Sequence, residues 1–153
     1  MRHAISGLVL FGILLAGNGR AADRETEAIR LTILKTYENW SALQPDANDP
    51  YYAAQADAVW YDVTAMQYFG WAEYKAGVKE TFKDFQNINF VFDRDITVNR
   101  AGKIAWATAT WKAEARMKDG KEILLQGRFT KVLQKQKGKW VIVHEHVSVP
   151  ASL

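Results

Sequence analysis

Three side chains in otherwise apolar surroundings are the candidates for acid–base chemistry in this sequence. Asp62 ends a run rich in strand-forming residues, and in an extended chain it shares one face with Trp60. Tyr37 lies on the apolar stripe of a predicted helix. Glu145 is a lone acid on a strand face that otherwise carries valines, namely Val141, Val143, Val147 and Val149. Because burial raises the pKa of a carboxyl group, Asp62 or Glu145 could act as a general base, with Tyr37 as a hydrogen-bond donor.

The same three residues also fit structural roles, and the sequence leaves both interpretations open. An aspartate at the end of a strand, such as Asp62, can cap the turn that follows. A buried tyrosine hydroxyl needs a hydrogen-bond partner, and the partner of Tyr37 can be purely structural. Glu145 could form an ion pair with an arginine and take no part in catalysis.

Aromatic residues make up 12% of the chain, which is more than one small core requires. Four of them would suit the wall of a flat apolar pocket and are candidate ligand-binding residues: Trp40, Trp60, Tyr68 and Trp106. Plain packing in the core is the alternative interpretation of all four.

Arg128 and His146 are further candidates for ligand binding because the last predicted hairpin brings them close together. A three-residue turn with Gly138 in the left-handed conformation would place Arg128 opposite His146. A two-residue turn would place Arg128 beside Val147 instead. In either register Arg128 could anchor a ligand carboxylate or contact a second subunit.

Residue types that hold metals or cofactors are scarce. The sequence has no cysteine and 3 histidines, and His3 is expected to leave with the signal peptide. His144 and His146 alone, without an obvious carboxylate partner, make a weak metal site. The chain also lacks a P-loop, a dinucleotide fingerprint and a nucleophile elbow. We therefore predict no metal site and no cofactor.

The first residues are typical of export rather than of a folded domain. A basic start precedes an apolar run at residues 4–16, and small residues follow at Ala21 and Ala22, where a signal peptidase could cut. We predict a signal peptide at residues 1–22, one domain at residues 23–153 and a periplasmic or secreted location. The run is shorter than the roughly 20 residues of a membrane span, so no span is expected after cleavage.

The distribution of charge argues against nucleic acid as a partner. The whole chain has a net charge of +3, and loss of the signal peptide removes Arg2 and Arg20 but no acid, which leaves +1 (3 minus 2). The lysines gather at predicted hairpin tips, whereas a nucleic-acid binder shows a basic face with interleaved aromatic residues.

Apolar periodicity predicts helices followed by a meander of strands. Helical spacing indicates helices at residues 23–43, 49–55 and 71–85, the second of them starting at Asp49 and Pro50. Period-two alternation, interrupted by glycine-containing turns, predicts five strands: 57–63, 88–99, 103–117, 122–135 and 139–149. A meander that follows helices must bury one face against them, so the predicted fold class is α+β.

Four segments carry a family resemblance: 57–62 (DAVWYD), 70–71 (GW), 127–130 (GRFT) and 138–148 (GKWVIVHEHVS). They resemble the nuclear transport factor 2-like (NTF2-like) superfamily, specifically its SnoaL-like, or ketosteroid isomerase-like, branch. The resemblance covers nearly the whole mature chain. It implies a cone in which three N-terminal helices pack on a strongly curved antiparallel sheet around one pocket, and it implies a homodimer formed through the outer sheet surface.

The resemblance also implies roles for individual residues. Ketosteroid isomerase combines a tyrosine, an aspartate base and a protonated aspartate. The first two positions fall on Tyr37 and Asp62. The third falls on Gly127 or Thr130, and neither residue can serve as a neutral carboxylic acid. Steroid isomerase activity is therefore not expected.

These observations together predict a protein that binds a small, largely apolar organic molecule. As an enzyme it would catalyse cofactor-free proton transfer, such as an isomerisation, a cyclisation or a dehydration. The alternative is a non-catalytic dimeric interaction or assembly module, whose outer sheet face would bear Trp140, His144 and His146. The last strand also resembles the association domain of calcium/calmodulin-dependent kinase II, which favours its valine face as the inner one.

Overall fold

The computed structural model describes residues 16–92 and 96–151, with side chains from residue 24 onward. The predicted signal peptide, residues 1–22, lies mostly outside the described residues and stays a prediction. In chain order the elements are α1 (Ala16–Ser41), a 3₁₀ helix (Pro45–Asn48), β1 (Val59–Tyr61), β2 (Tyr68–Phe69), α2 (Gly70–Phe82), β3 (Phe85–Phe92), β4 (Thr97–Ala101), β5 (Ile104–Met117), β6 (Glu122–Gln136) and β7 (Lys139–Ser148). No helix among them is both long enough and apolar enough to cross a membrane.

Both α-helices bury one face against the sheet because their apolar residues recur at helical spacing. The predicted stripe of α1 is buried, with at most 6% exposure for Ile29, Ile33, Tyr37 and Trp40. The buried face of α2 includes Trp71, Tyr74 and Val78. Burial of a large apolar side chain contributes about 1.5–3 kcal/mol, so these two stripes fix the helices on the sheet.

The described chain has two α-helices, and the prediction of a third at residues 49–55 is wrong. Asp49 ends the 3₁₀ helix, and its carboxylate accepts hydrogen bonds from the side chains of Trp71 and Lys75 at 2.8 and 2.7 Å. The following residues run extended beside β7, where the Ala53 amide donates to the Ile142 carbonyl at 2.8 Å. Hydrogen bonds to α2 and β7 therefore take the place of the helical hydrogen bonds that were predicted from Asp49 and Pro50.

The sheet is mixed, rather than wholly antiparallel as predicted, because β1 pairs parallel to β7. Its seven strands are arranged in the order β2-β1-β7-β6-β5-β3, with β4 paired to β5. The predicted meander is present in β5, β6 and β7, which pair antiparallel. The predicted strand at residues 88–99 corresponds to β3 and β4, which both pair with β5. The parallel pairing of β1 with β7 brings Trp60 beside Glu145.

A two-residue turn at Lys137 and Gly138, both with positive φ, joins β6 to β7. The register then shifts by one residue, because Leu133 pairs with Ile142 whereas Val132 pairs with His144. The shift is a β-bulge, in which β7 has one extra residue.

Because of the bulge, some residues of β7 lie on a different face of the sheet from the one predicted. Trp140 and Ile142 are buried on the same inner face as Glu145 and Val147, with at most 8% exposure for the four. Trp140 therefore does not belong to an outer surface with the histidines, as strict alternation had suggested. The inward position of Glu145 is as predicted.

Candidate functional site

A cavity of about 230 Å³ lies between the two α-helices and the inner face of the sheet. This volume is below the range of about 300–1,000 Å³ that is typical of small-molecule pockets, so it suits a small ligand. Most of its wall is apolar and includes Trp40, Val78, Phe82, Phe85, Ile88, Phe90, Trp111, Ile123, Leu125 and Val147. Its polar groups come from Tyr37, Asp62, Thr64, Tyr74, Thr81 and Glu145.

Asp62 follows β1 and enters the cavity wall beside two exposed residues, Val63 and Thr64, so it lies where the cavity meets solvent. The Thr64 hydroxyl donates to the Asp62 carboxylate at 3.2 Å and lies 3.2 Å from the Tyr68 hydroxyl. Within residues 16–92 and 96–151 no cationic side chain forms an ion pair with Asp62. Burial raises the pKa of Asp62 above its usual value, and the nearby charge of Glu145 adds to that effect.

Tyr37 projects from the buried stripe of α1 into the same cavity. Its ring packs edge-on against Phe90 and Phe92, with centroids 5.2 and 4.9 Å away. No residue of the described chain exchanges a hydrogen bond with its hydroxyl. Burial, reinforced by the charges of Glu145 and Asp62, raises the pKa of Tyr37 well above its usual value. The hydroxyl therefore stays protonated and can donate a hydrogen bond to a ligand.

Glu145 is 2% exposed, and both of its carboxylate oxygens are engaged. Oε2 accepts a hydrogen bond from the Tyr52 hydroxyl at 2.8 Å and forms an ion pair with Lys131. Oε1 accepts a hydrogen bond from the Tyr74 hydroxyl at 3.1 Å. The predicted ion pair therefore exists, but its cation is a lysine rather than an arginine.

Lys131 is fully buried and is the functional residue that sequence reasoning missed. It lies directly opposite Glu145 in the β6–β7 register. Its ammonium nitrogen is 5.0 to 5.7 Å from the ring centroids of Tyr37, Phe129 and Tyr52, so cation–π attraction adds to the ion pair. Burial lowers the pKa of Lys131, while the Glu145 carboxylate opposes that shift. Alternation along the strand could have indicated this inward position, because Lys131 lies on the same strand face as Phe129 and Leu133.

Among the predicted aromatic ligand-binding residues, Trp40 lines the cavity, whereas Trp60 and Tyr68 lie behind its wall. Trp60 is 0% exposed and stacks on Tyr74, with centroids 5.9 Å apart. Tyr68 packs over Gly77, where a Cβ atom would lie 2.4 Å from the tyrosine ring. These two residues support Tyr74 and Thr64, which do line the cavity.

The remaining predicted ligand-binding residues lie on the outer face of the sheet, away from the cavity. Trp106 is 43% exposed because alternation on β5 turns it outward. The turn has two residues, as in the second predicted alternative, but the bulge places Arg128 opposite Ser148 rather than beside Val147. The Nε atom of Arg128 donates to the Ser148 hydroxyl at 3.2 Å. His146 lies opposite Thr130. The cavity wall instead includes Tyr74 and Trp111, which the sequence analysis had not selected.

We expect Lys131→Met to lower the free energy of unfolding by about 3–5 kcal/mol, because it leaves the Glu145 carboxylate buried without its cation. The double variant Lys131→Met/Glu145→Gln should recover at least half of that loss, since it removes the uncompensated charge. Urea unfolding followed by tryptophan fluorescence measures both. Lys83→Met, at an exposed pair with Glu80, is the control and should stay close to wild type. A Lys131→Met loss as small as that of the control would contradict the assigned pair.

The raised pKa of Asp62 predicts how stability changes with pH. A carboxyl group whose pKa is raised on folding adds stability that is fully present below its unfolded pKa, near 3.8, and is lost as pH rises through the folded pKa. The amide of Asp62→Asn has no proton to lose in this range, so the variant should become more stable than wild type as pH rises. The gain should be about 1.4 kcal/mol for every tenfold weakening of the acid on folding.

Urea unfolding at pH 4.5 and pH 8 tests this expectation. Asp57→Asn, at an exposed position, is the matched control and should show a smaller change between the two conditions. An advantage of Asp62→Asn that shrinks with rising pH would mean that the carboxylate is stabilised, rather than destabilised, by its surroundings.

Solved structures with the same fold confirm the predicted α+β architecture. A Salmonella enterica NTF2-like superfamily protein aligns with TM-score 0.75 at 21% identity, over 88% of this chain and 94% of its own. A candidate scytalone dehydratase from Novosphingobium aromaticivorans aligns with TM-score 0.77 at 13% identity, over 87% and 89%. A candidate calcium/calmodulin-dependent protein kinase II association domain from Xanthomonas campestris aligns with TM-score 0.62 at 18% identity, over 100% of both chains. At these identities the likeness shows the fold alone.

The family comparison covers nearly all of the described domain. None of the curated proteins matches this chain. The model of the SnoaL-like domain matches residues 29–152, a span that includes the second half of α1, all of α2, all the described strands and every residue of the cavity wall. The chain therefore belongs to the SnoaL-like domain family, within the NTF2-like superfamily.

Proposed function

We propose that this protein binds a small, largely apolar organic molecule in the cavity and transforms it by cofactor-independent proton transfer. One observation carries the proposal: Asp62 is a carboxylate without a cationic partner in the described chain, in the wall of a cavity that is otherwise mostly apolar. A carboxylate whose pKa is raised by burial is a stronger base than one in water, while its exposed side can still exchange protons with solvent.

The roles of Asp62 and Tyr37 follow from their different protonation. Asp62 removes a proton from a carbon atom of the ligand, and the electron pair left behind moves onto a neighbouring oxygen atom. Tyr37 donates a hydrogen bond to that oxygen, because its high pKa keeps its own proton in place. Return of the proton from Asp62 to another atom completes an isomerisation. In a dehydration the electron pair instead expels a hydroxyl group, which takes the proton from Asp62 and leaves as water.

Glu145 supports the site rather than acting as the base in this proposal. Both of its oxygens already accept hydrogen bonds, and its charge is balanced by Lys131. A base must present a free lone pair to the proton that it removes. The dehydratase name given to the Novosphingobium structure agrees with the proposed class of reaction. The predicted signal peptide at residues 1–22 would place this activity in the periplasm or outside the cell.

Proton exchange on a flat bicyclic ketone tests the enzymatic proposal without knowledge of the natural substrate. We expect the wild-type protein to accelerate exchange of the α-protons of 2-tetralone in D₂O, followed by proton NMR. Asp62→Asn should lower the rate about 100-fold or more, the usual effect of a general base. Tyr37→Phe should lower it about tenfold or more, because it removes the donor to the developing oxyanion.

Thr130→Ala is the control, since Thr130 is exposed on the outer face and should leave the rate unchanged. Circular dichroism of each variant separates loss of folding from loss of chemistry. Equal exchange rates for wild type and for folded Asp62→Asn would exclude Asp62 as the base. Native mass spectrometry of the purified protein adds a direct search for a co-purified molecule in the cavity.

A non-catalytic dimeric interaction module is the second candidate, and the outer sheet face supports it. That face presents four exposed apolar side chains, at 40–64% exposure: Val91, Ile104, Trp106 and Leu124. Contiguous exposed apolar surface often marks a protein–protein interface, and Ile104 and Trp106 lie next to each other on this face, two residues apart on β5. The association-domain name of the Xanthomonas structure agrees with an assembly role.

Sedimentation equilibrium tests the homodimer. We expect a dimer at micromolar concentration and expect Trp106→Glu to shift it toward monomer, because the substitution places a charge in an apolar interface. Lys139→Glu, at an exposed position at the start of β7, is the control for an added negative charge and should leave the dimer intact. A wild-type protein that stays monomeric at high micromolar concentration would contradict the dimer.

A further inference from the structure

The charges around the cavity are unbalanced toward negative. Asp62 and Glu145 are the two acids in its wall, and no lysine, arginine or histidine lines it within residues 16–92 and 96–151. Lys131 balances Glu145 from behind the wall. The carboxylate of Asp62 is therefore the charge that remains uncompensated, in surroundings that solvate it poorly.

This imbalance excludes an anionic ligand. A carboxylate or phosphate group in the cavity would lie near Asp62 and Glu145, and the part of the chain that the structure describes places no cationic side chain in the wall to receive it. Arg128, the residue that could have anchored an acid, lies on the other face of the sheet. Like charges brought together in a desolvated site repel strongly. The ligand must be neutral or positively charged.

The aromatic walls favour a cation over a neutral ligand. Seven aromatic side chains line the cavity together with Asp62: Tyr37, Trp40, Tyr74, Phe82, Phe85, Phe90 and Trp111. The faces of aromatic rings carry negative partial charge. Rings of this kind attract ammonium groups when water is excluded. The protein already uses this interaction internally, because three rings surround the Lys131 ammonium group.

We propose that the cavity selects a ligand with an apolar body and a protonated amine, whose ammonium group pairs with the Asp62 carboxylate. This inference rests on the proposed binding of a small molecule in the same cavity and specifies its chemical class. It does not rest on the proposed proton transfer, because an ammonium group paired with Asp62 would balance the charge that a general base needs. The amine supplies the charge that the described chain does not provide, and the apolar body fills the space of about 230 Å³ behind it.

The pairing couples binding to the protonation of Asp62. In the empty cavity burial raises the pKa of Asp62, whereas an adjacent ammonium group favours the ionised form. Binding of the amine should therefore release a proton, and affinity should fall as pH drops through the pKa of Asp62. The other titratable groups around Asp62 are Glu145 and His146 on β7, Lys131 on β6, Tyr37 on α1, Tyr74 on α2 and Tyr68 on β2.

Three probes with the same naphthalene ring system distinguish preference for a cationic, a neutral or an anionic ligand. Isothermal titration calorimetry at pH 7.5 with 2-naphthylmethylamine, 2-naphthalenemethanol and 2-naphthoate compares a cation, a neutral molecule and an anion. We expect the amine to bind at least tenfold more tightly than the alcohol, and the carboxylate to bind at least tenfold more weakly. In Asp62→Asn the amine and the alcohol should bind equally, because the carboxylate is gone while the shape is kept.

A second measurement uses the wild-type protein alone, so its result does not depend on whether the variant folds. Titrations in two buffers with different ionisation enthalpies, near the midpoint of Asp62 titration, should show proton release for the amine and none for the alcohol. Equal affinities for the amine and the alcohol in the wild type would overturn this inference and leave the proposed binding function standing. Failure of all three probes to bind would instead count against small-molecule binding in the cavity itself.

Discussion

A carboxylate buried on an apolar sheet face needs a countercharge, and in this protein several elements meet to provide one. Removing an ion from water costs several kcal/mol even after the protein relaxes around it. Glu145 is therefore held by Lys131 from β6, by Tyr52 from the extended segment before β1 and by Tyr74 from α2. These contacts join three separate parts of the chain at one end of the cavity.

The β-bulge in β7 is what makes this arrangement possible. With the register of the turn continued unchanged, Lys131 would lie opposite His144, because Leu133 pairs with Ile142. The extra residue places Glu145 opposite Lys131 instead. It also allows Trp140 to remain in the core, where its indole nitrogen donates to Glu25 at 2.8 Å. One inserted residue thus sets both the ion pair and the packing of the strand end.

The sequence predicted those parts of the fold that depend on local periodicity. The stripe of α1, the strands β5 to β7 and the inward position of Asp62 beside Trp60 all follow from spacing alone. The extended segment at residues 51–53 could not be predicted, because its hydrogen bonds are made with distant β7. The bulge also left no local signal, and without it Lys131 had no visible partner. The outward positions of Trp106 and Arg128, in contrast, follow from alternation on β5 and β6.

The two acids of the cavity differ because only one of them is compensated. Glu145 has three partners that fix its position and balance its charge, whereas Asp62 has Thr64 alone among side chains of the described chain. Thr64 is in turn placed by Tyr68, whose ring occupies the space left by the missing side chain of Gly77. The protein therefore positions Asp62 accurately while leaving its charge unpaired. Two carboxyl groups in such different environments can have different roles. Here Glu145, whose charge is balanced, stabilises the fold, whereas Asp62, whose charge is not balanced, is available to a ligand.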